Sequence, residues 1–144
     1  MVIGIFENEF VHCELDEDIP VLRHCWLTPP PGEEFKFNLK RILEEYVQLK
    51  KAYKNLAWLA NAELLGELDL DVEQWLVDEW ESMLFDTAGV QVHAVILGAS
   101  IFADYPMERF KRDAEEKYLS KNVHLGVFSK EAEANAWILA QVNA

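Results

Sequence analysis

The stretch Val90-Gln91-Val92-His93-Ala94-Val95-Ile96-Leu97 is a near-continuous apolar run of strand length. A strand covered on only one face alternates apolar and polar residues, whereas one covered on both faces does not. The run therefore predicts a central strand with helices above and below. Gly89, just before it, is placed to stop a helix. That helix is announced upstream by Asp71-Val72-Glu73-Gln74, which has the form of a capping box with Asp71 as cap. Val72, Trp75, Leu76, Trp80, Met83 and Leu84 follow on one helical face.

Outward from this pair, the pattern repeats. Leu56-Ala57-Trp58-Leu59-Ala60 fits a second buried strand. Before it, Phe35, Leu39, Ile42, Leu43, Tyr46, Leu49 and Tyr53 recur at three- and four-residue steps and predict a helix over Glu33 to Tyr53. On the other side, a helix from about Met107 to Ser120 has Pro106 at its start and a stripe of Met107, Phe110, Ala114 and Tyr118. Val123 to Phe128 is the last strand, and Ser129 caps a terminal helix containing Ala132, Ala136, Trp137 and Ala140. At the amino end, Gly4 to Leu15 and Val21 to Thr28 flank the turn-like Asp16-Glu17-Asp18-Ile19-Pro20, giving a β-hairpin. Pro29-Pro30-Pro31-Gly32 then breaks regular structure. The order ββαβαβαβα predicts an α/β fold: a single mixed, mostly parallel sheet opened by the hairpin, with helices packed on it.

At 144 residues, 51% of them hydrophobic and with five Trp and eight Phe, the chain has material for a single domain with one core. Thirteen Lys and Arg against 26 Asp and Glu leave a formal charge of −13. Phosphate backbones and anionic membrane surfaces are bound through Lys and Arg, so nucleic acid and membrane are excluded as expected partners. The longest uncharged stretch, Thr87 to Ala103, includes Gly89, Gln91, His93, Gly98 and Ser100 and is too polar to span a bilayer. Met1 to Glu7 lacks the form of a signal peptide. Two cysteines, Cys13 and Cys25, make no disulfide framework, and a cytoplasmic protein is expected.

With these elements placed, the chain resembles the SpoIIAA-like family, a branch of the STAS and CRAL-TRIO type of α/β domain. The resemblance runs through the opening hairpin, the long helix to Tyr53, the strand with Trp58-Leu59, the Trp75/Trp80 helix and the strand Val92 to Leu97. Its most recognisable part is the ending Val127-Phe128-Ser129-Lys130-Glu131-Ala132, followed by Ala136-Trp137-Ile138. The resemblance implies a protein-binding regulator. In STAS regulators a serine near the start of the helix after a central strand is phosphorylated. Here Asn61 to Asp71 contains no Ser or Thr, so that switch does not carry over.

Several side chains are candidates for a site. His12-Cys13 and His24-Cys25 lie on opposite hairpin arms. A turn centred on Asp18 would place both Cys on one face and both His on the other, which does not suit tetrahedral zinc. Buried cysteine and ordinary strand histidine account for them. The belt from Glu63 to Asp86 holds Glu63, Glu67, Asp69, Asp71, Glu73, Asp78, Glu79, Glu81 and Asp86, with no Lys or Arg. It is either a solvated helix face or a docking surface for a basic partner. Its spacing is not that of an EF-hand. Trp80, five residues after Trp75, falls at the margin of the helical stripe, where exposure would add it to that surface. Gly98, Ser100 and Asp104 follow the central strand, where ligands of open α/β sheets bind, and form a candidate ligand loop.

No GxSxG elbow, P-loop, GxGxxG or HExxH is present, and no catalytic, cofactor or metal residues are identified. The expected function is a non-enzymatic regulatory or protein-interaction module whose acidic surface (Glu63, Glu67, Asp69, Asp71, Glu73, Asp78, Trp80) meets an unidentified, basic protein. The alternative is a carrier of a small apolar, lipid-like ligand, motivated by the aromatic supply. A two-fold homodimer is compatible with either.

Overall fold

The computed structural model describes residues 1–97 and 110–143. Its six strands are β1 (Val2–Glu7), β2 (Val11–Asp16), β3 (Val21–Trp26), β4 (Ala57–Ala62), β5 (Val92–Leu97) and β6 (His124–Phe128). They form one sheet in sequential order. β1 to β3 pair antiparallel, and β3 to β6 pair parallel. The mixed, mostly parallel sheet expected from the sequence is present, with one more strand.

The extra strand arises because the run Gly4 to Leu15 is divided. Asn8 Oδ1 accepts hydrogen bonds from the backbone N–H of Phe10 (2.9 Å) and Val11 (3.1 Å), so the Asn side chain closes a turn inside an otherwise strand-like run. Ile5 is then the extra residue of a bulge, between the pairs Gly4–Glu14 and Phe6–Cys13. The hairpin proper is β2–β3, with Asp16 opposite Val21. That register sets His12 opposite Cys25 and Cys13 opposite His24. The expected division, both Cys on one face and both His on the other, is therefore wrong: a four-residue turn places each His across from a Cys, so each face carries one of each.

Helix α1 (Gly32–Lys50) joins β3 to β4 and buries Phe35, Leu39, Ile42, Leu43 and Tyr46, the expected stripe. It ends at Lys50, and Tyr53 lies beyond it, with its hydroxyl donating to Glu17 Oε2 at 2.6 Å. Helix α2, between β4 and β5, begins as an α-helix (Leu70–Trp75) and widens into π turns (Leu76–Trp80 and Ser82–Thr87). Asp71 is not its cap. The helix starts after Asp69, whose carbonyl accepts from Val72 and Glu73 N–H at 3.0 Å each. Gln74 donates to the Asp78 carboxylate instead of reaching back. Gly89, with φ +70°, follows the helix end as expected.

A helical segment, α3 (110–117), and a 3-10 turn (Leu119–Lys121) precede β6. Helix α4 (Glu131–Val142) closes the chain. Its expected Ser129 cap is not made: Lys130 occupies that position without a side-chain bond. Ala134 and Ile138 face inward, whereas Ala132, Ala136 and Ala140 are exposed.

The two faces of the sheet are covered unequally. α1, α2 and α3 pack on the face of Leu22, Trp26, Trp58, Val95 and Leu97. On the other face, among the described helices, α4 alone covers Val21, Ala57, Leu59, Ala94 and Ile96. Every residue of β5 is buried, which explains its unbroken apolar run. Among the described residues, no helix is long and apolar enough to cross a membrane.

A pocket and an acidic rim at the carboxyl end of the sheet

Among the described residues the sequential strand order has no reversal, so they form no switch-point crevice of the kind a doubly wound sheet opens. A pocket forms instead beneath the three-helix face, near the carboxyl ends of β3, β4 and β5. Its cause lies in side-chain size. β4 places Trp58, Ala60 and Ala62 in a row on this face, and the two alanines leave a floor that larger neighbours overhang. Phe35 and Leu39 from α1, Leu76 and Trp80 from α2, and Leu65 and Leu68 from the β4–α2 loop form the cover. The cavity measures about 50 Å³. Ala60, on an interior strand under helices, is nonetheless partly exposed to solvent.

Two histidines line this pocket. His24 is 1% exposed and His93 3% exposed. His24 meets Trp26 and Trp58 edge to face, at 5.8 and 5.3 Å between ring centroids. His93 stacks on Trp58 at 6.3 Å and lies against Phe85 and Phe110. Both ring nitrogens of His24 and Nδ1 of His93 have no hydrogen-bond partner among the described residues. Burial pushes both imidazoles down to about 3, and for His24 the neighbouring His93 adds to this. Both rings are thus neutral at ordinary pH, because a buried imidazolium would lack a counter-charge.

Trp80 belongs to this pocket and not to the surface. It is buried, and it stacks on Trp75 with centroids 5.6 Å apart and planes 24° apart. In an α-helix, residues five apart diverge; in a π turn, bonded from residue i to i+5, they align. The Glu81 N–H donates to the Leu76 carbonyl in this manner. The placing of Trp80 on the partner surface is corrected on that ground; its alternative, core packing, is what the structure shows.

The next residue, Glu81, is carried inward as well and is 1% exposed. Burial, with Asp113 beside it, pushes its carboxyl up to about 8. Lys117 lies 3.6 Å from Glu81 and 3.1 Å from Asp113. Glu81 was expected in the acidic belt, and Asp86, also of that belt, pairs with Lys121 at 2.9 Å.

The remaining belt residues divide. Glu63, Glu67, Asp69 and Asp71 are exposed and pair with no Lys or Arg among the described residues. Asp78 and Glu79 are also exposed, while Glu73 is half-buried. Leu64 and Leu70 stand between these acids at 57% and 79% exposure. Gly66 (φ +78°) turns this loop, and a Cβ there would sit 3.2 Å from Pro29 Cγ. The same loop sends Leu65 and Leu68 down into the pocket, so rim and pocket share one segment.

The candidate ligand loop, Gly98, Ser100 and Asp104, lies outside the described residues, as do Pro106 and Met107. His12 and Cys25 are half-buried, His12 lying between Glu7 (2.9 Å) and Glu14 (2.8 Å). Cys13 is fully buried, which, with the nearby Glu45 and Glu14, pushes its thiol up to about 12. No group of three or more His, Cys, Asp or Glu suited to a metal ion occurs among the described residues. His93 was not singled out as a site residue from sequence, although a titratable ring inside the run Val92–Leu97 was the available signal. No family model, no curated protein and no solved structure matches the chain.

Proposed function

We propose that this protein is a non-enzymatic interaction module that presents the segment Glu63 to Asp71 to a basic protein partner. The observation that carries the reading is the exposure of Leu64 and Leu70 among four carboxylates that pair with no Lys or Arg among the described residues. A merely solvated face needs no exposed leucines, whereas a surface for a basic amphipathic segment uses both features. The resemblance to SpoIIAA-like proteins and a cytoplasmic setting belong to the same proposal.

A labelled amphipathic Lys/Leu peptide supplies the test, read by fluorescence anisotropy. Charge reversal at Glu63 and Glu67 together with Leu70→Ser should weaken binding about tenfold or more. Reversal of Glu44 and Glu116, exposed on α1 and α3, gives a control of equal charge change and should have a smaller effect. These surface changes leave the fold stable to within ~0.5 kcal/mol each. Equal loss in both variants would reduce the surface to bulk charge attraction and refute the proposal.

A further inference from the structure

Buried polar atoms are almost always hydrogen-bonded, and each exception calls for a cause. Here His24 and His93 line a solvent-connected cavity, and three of their imidazole nitrogens have no partner among the described residues. A neutral imidazole offers one N–H donor and one lone pair, so His24 can both give and accept a bond. Among the described residues, no Lys, Arg, Asp or Glu lines the cavity. An ionic ligand would find no counter-charge from them, and burying an unpaired charge is strongly unfavourable. The wall is otherwise aromatic and aliphatic, through Trp26, Trp58, Trp80 and Val95. At 10–15 Å³ per water-sized sphere, about 50 Å³ admits ~3–5 such groups. A whole lipid does not fit.

We propose that this pocket binds an uncharged alcohol of short chain, or the hydroxyl-bearing end of a longer one, with the hydroxyl hydrogen-bonded to His24. The hydroxyl donates to the imidazole lone pair or accepts from its N–H, and the carbon chain lies on Ala60 between Trp58 and Trp80. The inference stands independently of the docking surface, since no carboxylate of the rim takes part in it.

The experiment is a titration of the full-length protein with 1-butanol, 1-octanol and butyrate, following the histidine ring resonances and tryptophan fluorescence. Saturable shifts at His24 and His93 with an alcohol support the site. Saturation by butanol alone places the whole ligand inside; tighter binding of octanol places its tail through the mouth; both support it. Ala60→Leu, which fills the floor, should abolish saturation. His24→Leu keeps the apolar volume and should weaken the alcohol about tenfold, the worth of one buried hydrogen bond. Far-ultraviolet circular dichroism verifies that the variants are folded. Linear, unsaturated shifts in the wild type, or butyrate binding as well as butanol, would overturn the proposal.

Discussion

Arg23 shows how one side chain can join three elements. It is buried on β3, yet its guanidinium reaches Glu14 (2.6 Å) and Asp16 (3.4 Å) on β2 and Glu131 (2.8 Å) on α4. Asn135 accepts a further bond at 3.1 Å. The planar fork of Arg suits such divided recognition, and Lys would not replace it. Arg23→Met leaves Glu14 and Asp16 without their cation, and removal of one partner of a buried pair costs roughly 3–5 kcal/mol. Because these carboxylates keep some solvent contact, the lower end, about 3 kcal/mol, is expected in urea unfolding. Adding Glu14→Gln should recover part of the loss. At this same scale the sequence was least informative. His24 and Arg23 are adjacent in the chain and point to opposite faces, and only the turn register decides which enters the pocket. A one-residue difference in that register exchanges every face.

Elements were more legible than residues, for physical reasons that differ between them. β5 and α1 carry long, unambiguous periodicities; β5 is wholly buried, and of the expected α1 stripe Phe35 to Tyr46 is buried, while Leu49 is half-buried and Tyr53 lies past the helix end. The β1–β2 division was hidden because one Asn supplies the turn, without Gly or Pro to mark it. The π turns of α2 were hidden as well, since the apolar spacing that they align, Trp75 to Trp80, looks like a defect on an α-helical template. The candidate site straddles these cases: the acidic rim was visible as composition, while the pocket depends on α2 geometry. The loop joining β4 to α2 is held by Gly66, whose positive φ and contact with Pro29 favour glycine. Gly66→Ala should cost ~1–2 kcal/mol in chemical denaturation. It should also weaken peptide binding, because the same loop bears Glu63 and Glu67 and leads directly into Leu70. Unchanged stability would show that the turn tolerates a side chain and does not define the rim.

For the whole molecule, the buried titratable groups predict a stability optimum. His24 and His93 are neutral when folded, with values near 3, but titrate near 6.5 when unfolded. The unfolded chain therefore binds more protons below pH 6.5, and stability falls as the pH drops through that range. Each histidine contributes at most ~1.4 kcal/mol per pH unit. Glu81 acts in the opposite sense. Its folded value near 8 lies above the ordinary 4.5, so its burial costs stability progressively as pH rises from 4.5 to 8. Between pH 4.5 and 6.5 the two histidines outweigh the single Glu; above 6.5 only Glu81 of the three still titrates. Stability should thus peak near pH 6.5, and Glu81→Gln should flatten the alkaline side while leaving the acid side in place. Thermal unfolding across this range measures both limbs.

The sharpest measurement is a nuclear magnetic resonance titration of the histidine rings in the folded protein. If His24 and His93 are uncharged walls of a pocket beneath α1 and α2, their ring signals will hold constant from pH 7.5 to pH 5. A titration of either ring centred near pH 6.5, with the fold intact, would contradict that arrangement.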